Sequence, residues 1–444
     1  MKRGFQYDAA LCVSCKACSA ACILENGFQA GTRNVYTWND QSYEPFSVIN
    51  LSLACNHCEK PACLEGCPAK AYTVDISGAV IHHQEKCMGC KYCLIKCPYD
   101  APKTNTSRGY IEKCHFCYER VADEIDPACV TACPTGALSI IYEKGFPNRN
   151  VEWFPETGIG PALKLISTEN IKRPVIIPVG DDDTAADIPP PVNRIKKEWS
   201  LLAFSLLVIF GASTIISDYL KGTASPSVLP SLLLVSAFLV SLAHLGVRKR
   251  AWRSVLNVIS SPLSREIVAV ATLTLLALFN YIKPGILPAL IIPIVALLAL
   301  ISVDLVYFSA DGSTGLALHS GQAFFSGILA ASFFSGSLNA FILFTMLAAG
   351  SVVIRYNTLS RSLFIRNIYY YRALTLPLVL MLLYIISDWL AVAAQIIFIS
   401  GLIADRALFY DAFKPENIRV KISDHFYNEY EKERDKQRQD TYIS

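Results

Sequence analysis

The chain has 444 residues, a formal net charge of +3 and 16 cysteines. This length predicts more than one domain. The small net charge argues against nucleic-acid binding, because neutralising a phosphate backbone requires a strong excess of Lys and Arg. The hydrophobic content of 52% averages two unlike parts, since every cysteine lies between Cys12 and Cys133 and the later residues are mostly apolar.

The cysteines fall into four runs of four. The third run, followed by Pro98, has the spacing C-x2-C-x2-C-x3-C-P, which is typical of bacterial ferredoxins that bind a 4Fe–4S cluster. Pro68 and Pro134 close the second and fourth runs in the same way. The runs are Cys12, Cys15, Cys18 and Cys22; Cys55, Cys58, Cys63 and Cys67; Cys87, Cys90, Cys93 and Cys97; and Cys114, Cys117, Cys129 and Cys133.

Disulfide bonds and zinc are the alternatives to iron–sulfur clusters. A disulfide framework does not require repeated C-x2-C pairs closed by C-x3-C-P. Zinc sites also use C-x2-C pairs, but they seldom place three cysteines within seven residues, as Cys12–Cys18 and Cys87–Cys93 do. In two-cluster ferredoxins the remote fourth cysteine of a run belongs to the neighbouring cluster. Four runs therefore predict two ferredoxin-like modules and four 4Fe–4S clusters.

Short elements are predicted between and after the cysteines. The segments Ala71–Asp75 and Ala79–His83 flank Ser77-Gly78, a pattern that predicts a β-hairpin. The segment Ala137–Tyr142 predicts a further strand after the fourth run. Helical turns are expected after Cys18, Cys63 and Cys93.

A polar connector is predicted over residues 146–198, where Asp181–Asp183 and Pro189–Pro191 favour an extended, solvated chain. Within it, Trp153 and Phe154 could pack on the cysteine-rich domain or on a partner. Eight apolar segments follow, and they predict transmembrane helices because a spanning helix requires about 20 apolar residues. The predicted spans are Leu201–Leu220, Leu229–Val247, Ile267–Ile282, Ile286–Phe308, Leu316–Phe334, Leu338–Ile354, Ala373–Trp389 and Leu390–Tyr410.

Basic residues are concentrated on one side of these crossings. The loops opposite the cysteine-rich domain hold only Lys221 and Lys283. The positive-inside rule therefore predicts that the cysteine-rich domain lies on the cytoplasmic side of a bacterial or archaeal membrane, with the periplasmic side as the alternative. The flank and loops on the side of that domain hold Arg194, Lys196, Lys197, Arg248, Lys249, Arg250, Arg253, Arg265, Arg355, Arg361, Arg366 and Arg372.

Ionisable residues inside the apolar region gather near its cysteine-rich side, and such residues are functional candidates. A histidine accepts a proton near neutral pH, and a carboxylate can relay it to water. His244 and Glu266 therefore predict a site where quinol is oxidised, although both could instead be interfacial residues that cap helix ends. For Asp304 and His319 a structural role is favoured. The apolar segments contain no pair of histidines placed to face each other within the bilayer, so no haem is predicted.

The cysteine pattern of residues 4–142 resembles the iron–sulfur subunits of the dimethyl sulfoxide (DMSO) reductase family of molybdoenzymes. The resemblance implies that run one pairs with run four and run two with run three. It also implies a separate molybdopterin-containing catalytic subunit as partner. The implied ligand sets are Cys12, Cys15, Cys18 and Cys133; Cys114, Cys117, Cys129 and Cys22; Cys55, Cys58, Cys63 and Cys97; and Cys87, Cys90, Cys93 and Cys67.

Two further stretches resemble the membrane anchor subunit of the same family. They are His244-Leu245-Gly246, followed by Arg250-Ala251 and Leu263–Ile267, and Arg406 followed by Leu408-Phe409-Tyr410. The resemblance implies a pocket for menaquinol or ubiquinol. It implies that His244 and Glu266 bind quinol and accept its protons, with Tyr307 and Arg406 as further candidates.

The sequence thus predicts an α+β ferredoxin-like double module over residues 1–145, the connector over 146–198, an all-α membrane domain of eight helices over 199–412 and a charged tail over 413–444. The tail is predicted to be a solvated helix or disordered. The expected function is to oxidise quinol and pass electrons through four 4Fe–4S clusters to the catalytic partner. Electron flow in the reverse direction and a purely structural anchor remain alternatives, and the terminal substrate is left open.

Overall fold

The computed structural model describes residues 1–29, 31–38, 48–146, 151, 153–166, 199–222, 227–310, 321–336, 341, 343, 345, 388–413, 415–428 and 432. The chain divides into two compact units. The first unit combines Met1–Pro190 with Glu416–Ser444, and the second unit is Pro191–Pro415. The first unit therefore contains segments from both sides of the apolar region.

A three-stranded sheet joins distant parts of the first unit. Its central strand β1 (Lys2–Tyr7) pairs antiparallel with β8 (Leu138–Glu143) and parallel with β9 (Leu163–Leu165), in the order β8-β1-β9. This pairing brings the strand that follows the fourth cysteine run beside the strand that precedes the first. The strands described are β1 (Lys2–Tyr7), β2 (Asn34–Trp38), β3 (Ile49–Leu53), β4 (Tyr72–Val74), β5 (Val80–His82), β6 (Lys103–Thr104), β7 (Ile111–Glu112), β8 (Leu138–Glu143) and β9 (Leu163–Leu165).

The predicted short elements of the first unit are confirmed. Strands β4 and β5 form the expected hairpin, with Tyr72 opposite His82. Strand β8 lies one residue from its predicted position. A helix begins one residue before each of Cys18, Cys63 and Cys93. The helices of this unit are α1 (Ala17–Asn26), α2 (Ala62–Glu65), α3 (Tyr92–Lys96), α4 (Tyr118–Ala122) and α5 (Ala128–Thr131).

The start of the connector packs into the core of the first unit. Trp153 and Phe154 are buried there together with Phe5 and Leu163. The ring of Phe154 stacks on that of Tyr99, with a centroid separation of 6.3 Å. The alternative that these two residues dock on the cysteine-rich domain is therefore the one observed. The acidic and proline-rich parts of the connector lie outside the described residues.

The charged tail differs from its prediction, because residues 418–428 form a helix that packs on the first unit. Ile418, Ile422 and Phe426 recur at helical spacing and are fully buried. The Ile418 N–H donates to the Pro98 carbonyl at 2.7 Å. The charged residues of the tail dominate its composition and obscure this single apolar stripe.

The second unit is helical, and the chain is membrane-associated. Four of its helices are long and apolar enough to cross a bilayer. The helices described are α6 (Trp199–Leu220), α7 (Leu229–Ser241), α8 (Pro262–Ile282), α9 (Ile291–Phe308), α10 (Ala323–Ser335) and α11 (Asp388–Ala412).

Four of the eight predicted spans correspond to α6, α8, α9 and α11. The second corresponds to a helix pair over Leu229–His244 and Arg248–Val255, bent by 117°, which gives up to five crossings if the pair is one span. The described part of the fifth span is α10, which has only 13 residues. The sixth span, apart from residues 341, 343 and 345, and the seventh up to residue 387 lie outside the described residues. The seventh and eighth spans are predicted to meet near Trp389, and the described part of α11 starts at Asp388.

Small residues allow close packing between the apolar helices. A Cβ at Gly211 of α6 would lie 2.9 Å from Leu234, and one at Gly327 of α10 would lie 2.5 Å from Leu300. Ser213 of α6 also donates to the Gly327 carbonyl at 3.0 Å. Close backbone approach of this kind drives helix association where no hydrophobic difference from lipid is available.

Replacing Phe426 by Ala should destabilise the first unit by about 3–5 kcal/mol, because a buried aromatic ring is lost and a cavity remains. Denaturant unfolding of the full chain in detergent measures this change. The adjacent Tyr427→Ala is the control, because Tyr427 is 49% exposed. Equal stability of the two variants would contradict the docking of the C-terminal helix.

Candidate functional site

All four cysteine runs bend through the same backbone conformation. The residue before the second cysteine has positive φ in every run: 55° at Ser14, 44° at His57, 71° at Gly89 and 68° at Phe116. This left-handed conformation is unfavourable for residues other than Gly and is retained where the surrounding structure requires it. In the third and fourth runs the N–H of this residue donates to the sulfur of the first cysteine, at 3.4 Å in each case. Such turns form nests of N–H groups that favour anions.

Two cavities in the first unit are each lined by four cysteines. One combines three cysteines of the third run with the last cysteine of the second run. The other combines three cysteines of the fourth run with the last of the first run. Each cavity contains the residues of one of the ligand sets implied by the resemblance. The sets are Cys67, Cys87, Cys90 and Cys93, and Cys22, Cys114, Cys117 and Cys129.

The cysteines of a third set act on one another electrostatically. Burial, and then the charge on Cys55 and Cys97, raises the pKa of the Cys58 thiol. Burial and the charge on Cys55 also raise the pKa of the Cys63 thiol. These four cysteines are the set in which the second run provides three residues and the third run provides one. For the set of Cys12, Cys15, Cys18 and Cys133, the packing of α1 against α5 brings the first and fourth runs together.

Burial keeps most of these thiols protonated unless a metal is bound. Burial raises the pKa of Cys97 and of Cys129 to about 11 in each case. Thiolates are the form that binds metal, so coordination must displace these protons. A cation-rich centre inside each cavity is therefore needed to stabilise four neighbouring negative charges.

The arrangement fits an iron–sulfur cubane. Four cysteine thiols line each of the two cavities, and as thiolates they would provide the soft donor set that such clusters use. Within the part of the chain that the structure describes, no three Cys, His, Asp or Glu side chains are placed to hold a single metal ion.

Two polar residues that sequence reasoning missed lie beside the cysteines, the buried Lys113 and the half-buried Asn26. Lys113 is 3% exposed and donates to the carbonyls of Val80 and Cys114, at 2.6 Å each. The Asn26 amide lies 3.9 Å from the Cys22 sulfur and 3.8 Å from the Cys117 sulfur. Their positions depend on long-range packing, so neither spacing nor composition distinguishes them from surface residues.

A second group of polar residues is buried among the helices of the second unit. It is centred on Arg406 of α11, which is fully buried and forms an ion pair with Asp304 of α9 at 3.2 Å. Arg406 also donates to Ser205 of α6 at 3.1 Å and to the Gly321 carbonyl at 2.9 Å. Ser205 was not recognised from the sequence, because a lone serine in an apolar helix carries no distinctive signal.

Asp304 has a structural part in this group. Its carboxylate accepts the N–H groups of Ala323 and Phe324, at 2.8 and 3.0 Å, and so caps the first turn of α10. The structural role favoured for this residue is the one observed. His319 lies outside the described residues.

The structure brings three of the four candidate quinol residues together. Tyr307 donates to the Tyr410 hydroxyl at 2.9 Å, and Tyr410 in turn lies beside Ser205 and Arg406. Glu266 is 5% exposed and interacts with the charges of Arg406 and Asp304. The fourth candidate is His244. That residue is partly buried in a short 3₁₀ helix, Leu242–His244.

The first turn of α8 orients Glu266. The Ser261 hydroxyl accepts the Ser264 N–H at 3.4 Å, which caps the helix. The Ser264 hydroxyl donates to the Ser254 carbonyl at 2.6 Å and ties this turn to the preceding basic segment. Arg265 donates to the carbonyls of Val258 and Ile259. Adjacent residues therefore have different roles, with Arg265 capping the loop and Glu266 directed inward.

Comparison with known proteins identifies the cysteine-rich part. Residues 46–142 match the family described as the 4Fe-4S dicluster domain. A chain of the anaerobic dimethyl sulfoxide reductase of Haemophilus influenzae is 38% identical over 146 residues, which cover 30% of the present chain and 71% of that protein.

Two further relatives come from other enzymes. A tetrathionate reductase subunit of Salmonella typhimurium is 32% identical over 193 residues, covering 43% of the present chain and 76% of the relative. The formate dehydrogenase-O iron-sulfur subunit of Escherichia coli is 35% identical over 150 residues, which cover 30% of the present chain and 50% of that subunit. From these matches and the cysteine-lined cavities, the chain belongs to the family of iron–sulfur electron-transfer subunits of DMSO reductase-type molybdoenzyme complexes.

Proposed function

We propose that this chain oxidises quinol in its membrane unit and passes the electrons through four 4Fe–4S clusters to a molybdopterin-containing catalytic subunit. The observation that carries the proposal is the pair of cavities that are each lined by four cysteines from two different runs. Sixteen cysteines provide ligands for four such centres. When bound, each cluster accepts and donates one electron at a time.

The nested ligand sets are supported by three features of the first unit. Two sets line the cavities, and the mutual electrostatic effects among Cys55, Cys58, Cys63 and Cys97 support the third. The pairing of β1 with β8 supports the remaining set, Cys12, Cys15, Cys18 and Cys133, because it brings the two ends of the cysteine region together.

The quinol site is supported by the buried group around Arg406. Ionisable residues within a membrane are costly, and they are functional candidates by default. Glu266 has neighbours that can donate hydrogen bonds, namely Arg406 and Tyr307, and quinol oxygens require both donors and acceptors. In the proposed reaction one quinol releases two electrons and two protons. A Glu266 carboxylate oxygen takes a proton, and His244 remains the second proton acceptor.

The membrane topology is supported by the composition of the first unit. Residues on both sides of the apolar region pack in this unit, so the intervening chain must cross the membrane an even number of times. Eight crossings satisfy this requirement. The excess of basic residues on the side of the first unit supports its location in the cytoplasm.

Electron flow in the reverse direction is the second candidate. The similarity to a formate dehydrogenase iron-sulfur subunit favours it, because a partner that oxidises a donor would deliver electrons to this chain for quinone reduction. Cluster midpoint potentials below that of the quinone pool would favour this direction. A purely structural anchor would instead show no change in cluster reduction when a quinone-site inhibitor is added.

Anaerobically purified protein should contain about sixteen irons per chain, and a Cys→Ser change should remove one cluster. Because of the nested sets, Cys22→Ser and Cys129→Ser should lose the same EPR signal. Cys18→Ser is the matched control and should lose a different one. Eight or fewer irons, or the same loss from Cys18→Ser and Cys22→Ser, would refute the proposed ligation.

Glu266→Gln should slow cluster reduction by quinol by at least about 100-fold, because a proton acceptor is lost. His244→Ala should have a similar effect. Stopped-flow absorbance with a soluble quinol analogue measures the rate, and dithionite should still reduce every cluster. Asp218→Asn, at the end of α6, is the control and should retain the wild-type rate. An unchanged rate in Glu266→Gln would remove this residue from the site.

Reporters fused after Ser444 should indicate that the C-terminal end of the chain lies in the cytoplasm. Green fluorescent protein at this position is expected to fluoresce, and alkaline phosphatase is expected to be inactive. Fusions in the loop after Lys221 should give the opposite pattern. Phosphatase activity at Ser444 would place the first unit on the periplasmic side.

A further inference from the structure

Arg33 is a charged residue in the interior of the first unit. It is 2% exposed, and its Nη1 donates to the Ser52 hydroxyl at 3.0 Å. The Nε and Nη2 atoms are buried and have no hydrogen-bond partner in the described structure. A buried cation with unused donors is strongly unfavourable unless another group compensates it.

No carboxylate of the described residues forms an ion pair with Arg33; the ion pairs found there involve other basic residues. The ring of Phe5 covers one face of the guanidinium, 4.4 Å from its carbon. The donors at its edge therefore remain for another acceptor. The thiols whose deprotonation would act most strongly on Arg33 are those of Cys129, Cys114, Cys18 and Cys22.

Contacts on either side place Arg33 between two ligand sets. The Ser52 hydroxyl that accepts from Arg33 also lies 3.4 Å from the Cys18 sulfur. The preceding residue, Thr32, lies 3.2 Å from the Cys22 sulfur. In the nested arrangement Cys18 and Cys22 belong to different clusters, so this segment lies where the two clusters are adjacent.

A cation at this position would act on the redox equilibrium of both clusters. Reduction adds one negative charge to a cluster, and a nearby positive charge stabilises that form, most strongly where water is excluded. Hydrogen bonds to cluster sulfur raise the reduction potential in the same direction. Arg is suited to this role because it remains charged even when buried.

We propose that Arg33 is a redox-tuning residue, whose Nε and Nη2 groups donate to sulfur atoms of the clusters held by Cys12, Cys15, Cys18 and Cys133 and by Cys22, Cys114, Cys117 and Cys129. Its positive charge raises the reduction potentials of both. This inference rests on the proposed four-cluster ligation. It assigns no step to the quinol site or to the catalytic partner.

Redox titration of the whole chain with mediators, monitored by EPR, tests this role. Arg33→Met and Arg33→Gln should lower the midpoint potential of the two clusters by at least about 59 mV, which is a tenfold change for a one-electron couple. Arg33→Lys retains the charge and should remain within that tenfold limit. The other two clusters should be unchanged in every variant.

Arg120→Met is the matched control. Arg120 belongs to the same unit but pairs with Glu25 near the surface, at 3.1 Å, where solvent screens its charge. Arg120→Met should therefore shift the midpoint potentials by less than about 59 mV, the tenfold limit for a one-electron couple. Unshifted potentials in Arg33→Met, or an equal shift in Arg120→Met, would overturn the proposal.

A spectroscopic test retains the native residue, in case Arg33→Met loses iron. Protein labelled with ¹⁵N-arginine should show a nitrogen coupling in the pulsed EPR spectrum of a reduced cluster, and labelled Arg33→Lys should lack it. Absence of the coupling in the native chain would overturn the proposal. The iron content of the same sample tests the four-cluster ligation separately, because eight or fewer irons per chain would contradict the ligation itself.

Discussion

Cysteines from separate runs line shared cavities, and this meeting constrains how the first unit folds. Cys22 and Cys129 are far apart in sequence but line the same cavity. The antiparallel pairing of β1 with β8 makes such meetings possible, because it aligns the two ends of the cysteine region residue by residue. Four negative charges in one cavity would repel one another, so the thiolates and a metal centre stabilise each other only in combination.

The sequence predicts local features well because their causes are local. The hairpin around Gly78 follows from alternating residues and a turn, and the cysteine spacing indicates the type of centre. The positions of Arg33 and the helix at residues 418–428 could not be predicted, because both depend on burial against segments that are distant in sequence.

In the second unit, one ion pair connects several helices. Arg406 and Asp304 link α9 to α11, and the same two side chains reach α6 and the start of α10. Replacing only one partner of such a buried pair leaves an uncompensated charge, which is strongly destabilising. The sequence identified Arg406 and Asp304 individually as polar residues in apolar helices. It could not identify them as partners, because their separation along the chain gives no indication of contact.

The helix at residues 418–428 has a consequence for biosynthesis. It contributes Ile418, Ile422 and Phe426 to a core whose other members precede the membrane region. During translation, that core stays incomplete until the ribosome has made all the transmembrane helices and the residues after them. Final closure of the unit that carries the cysteines therefore follows insertion into the bilayer.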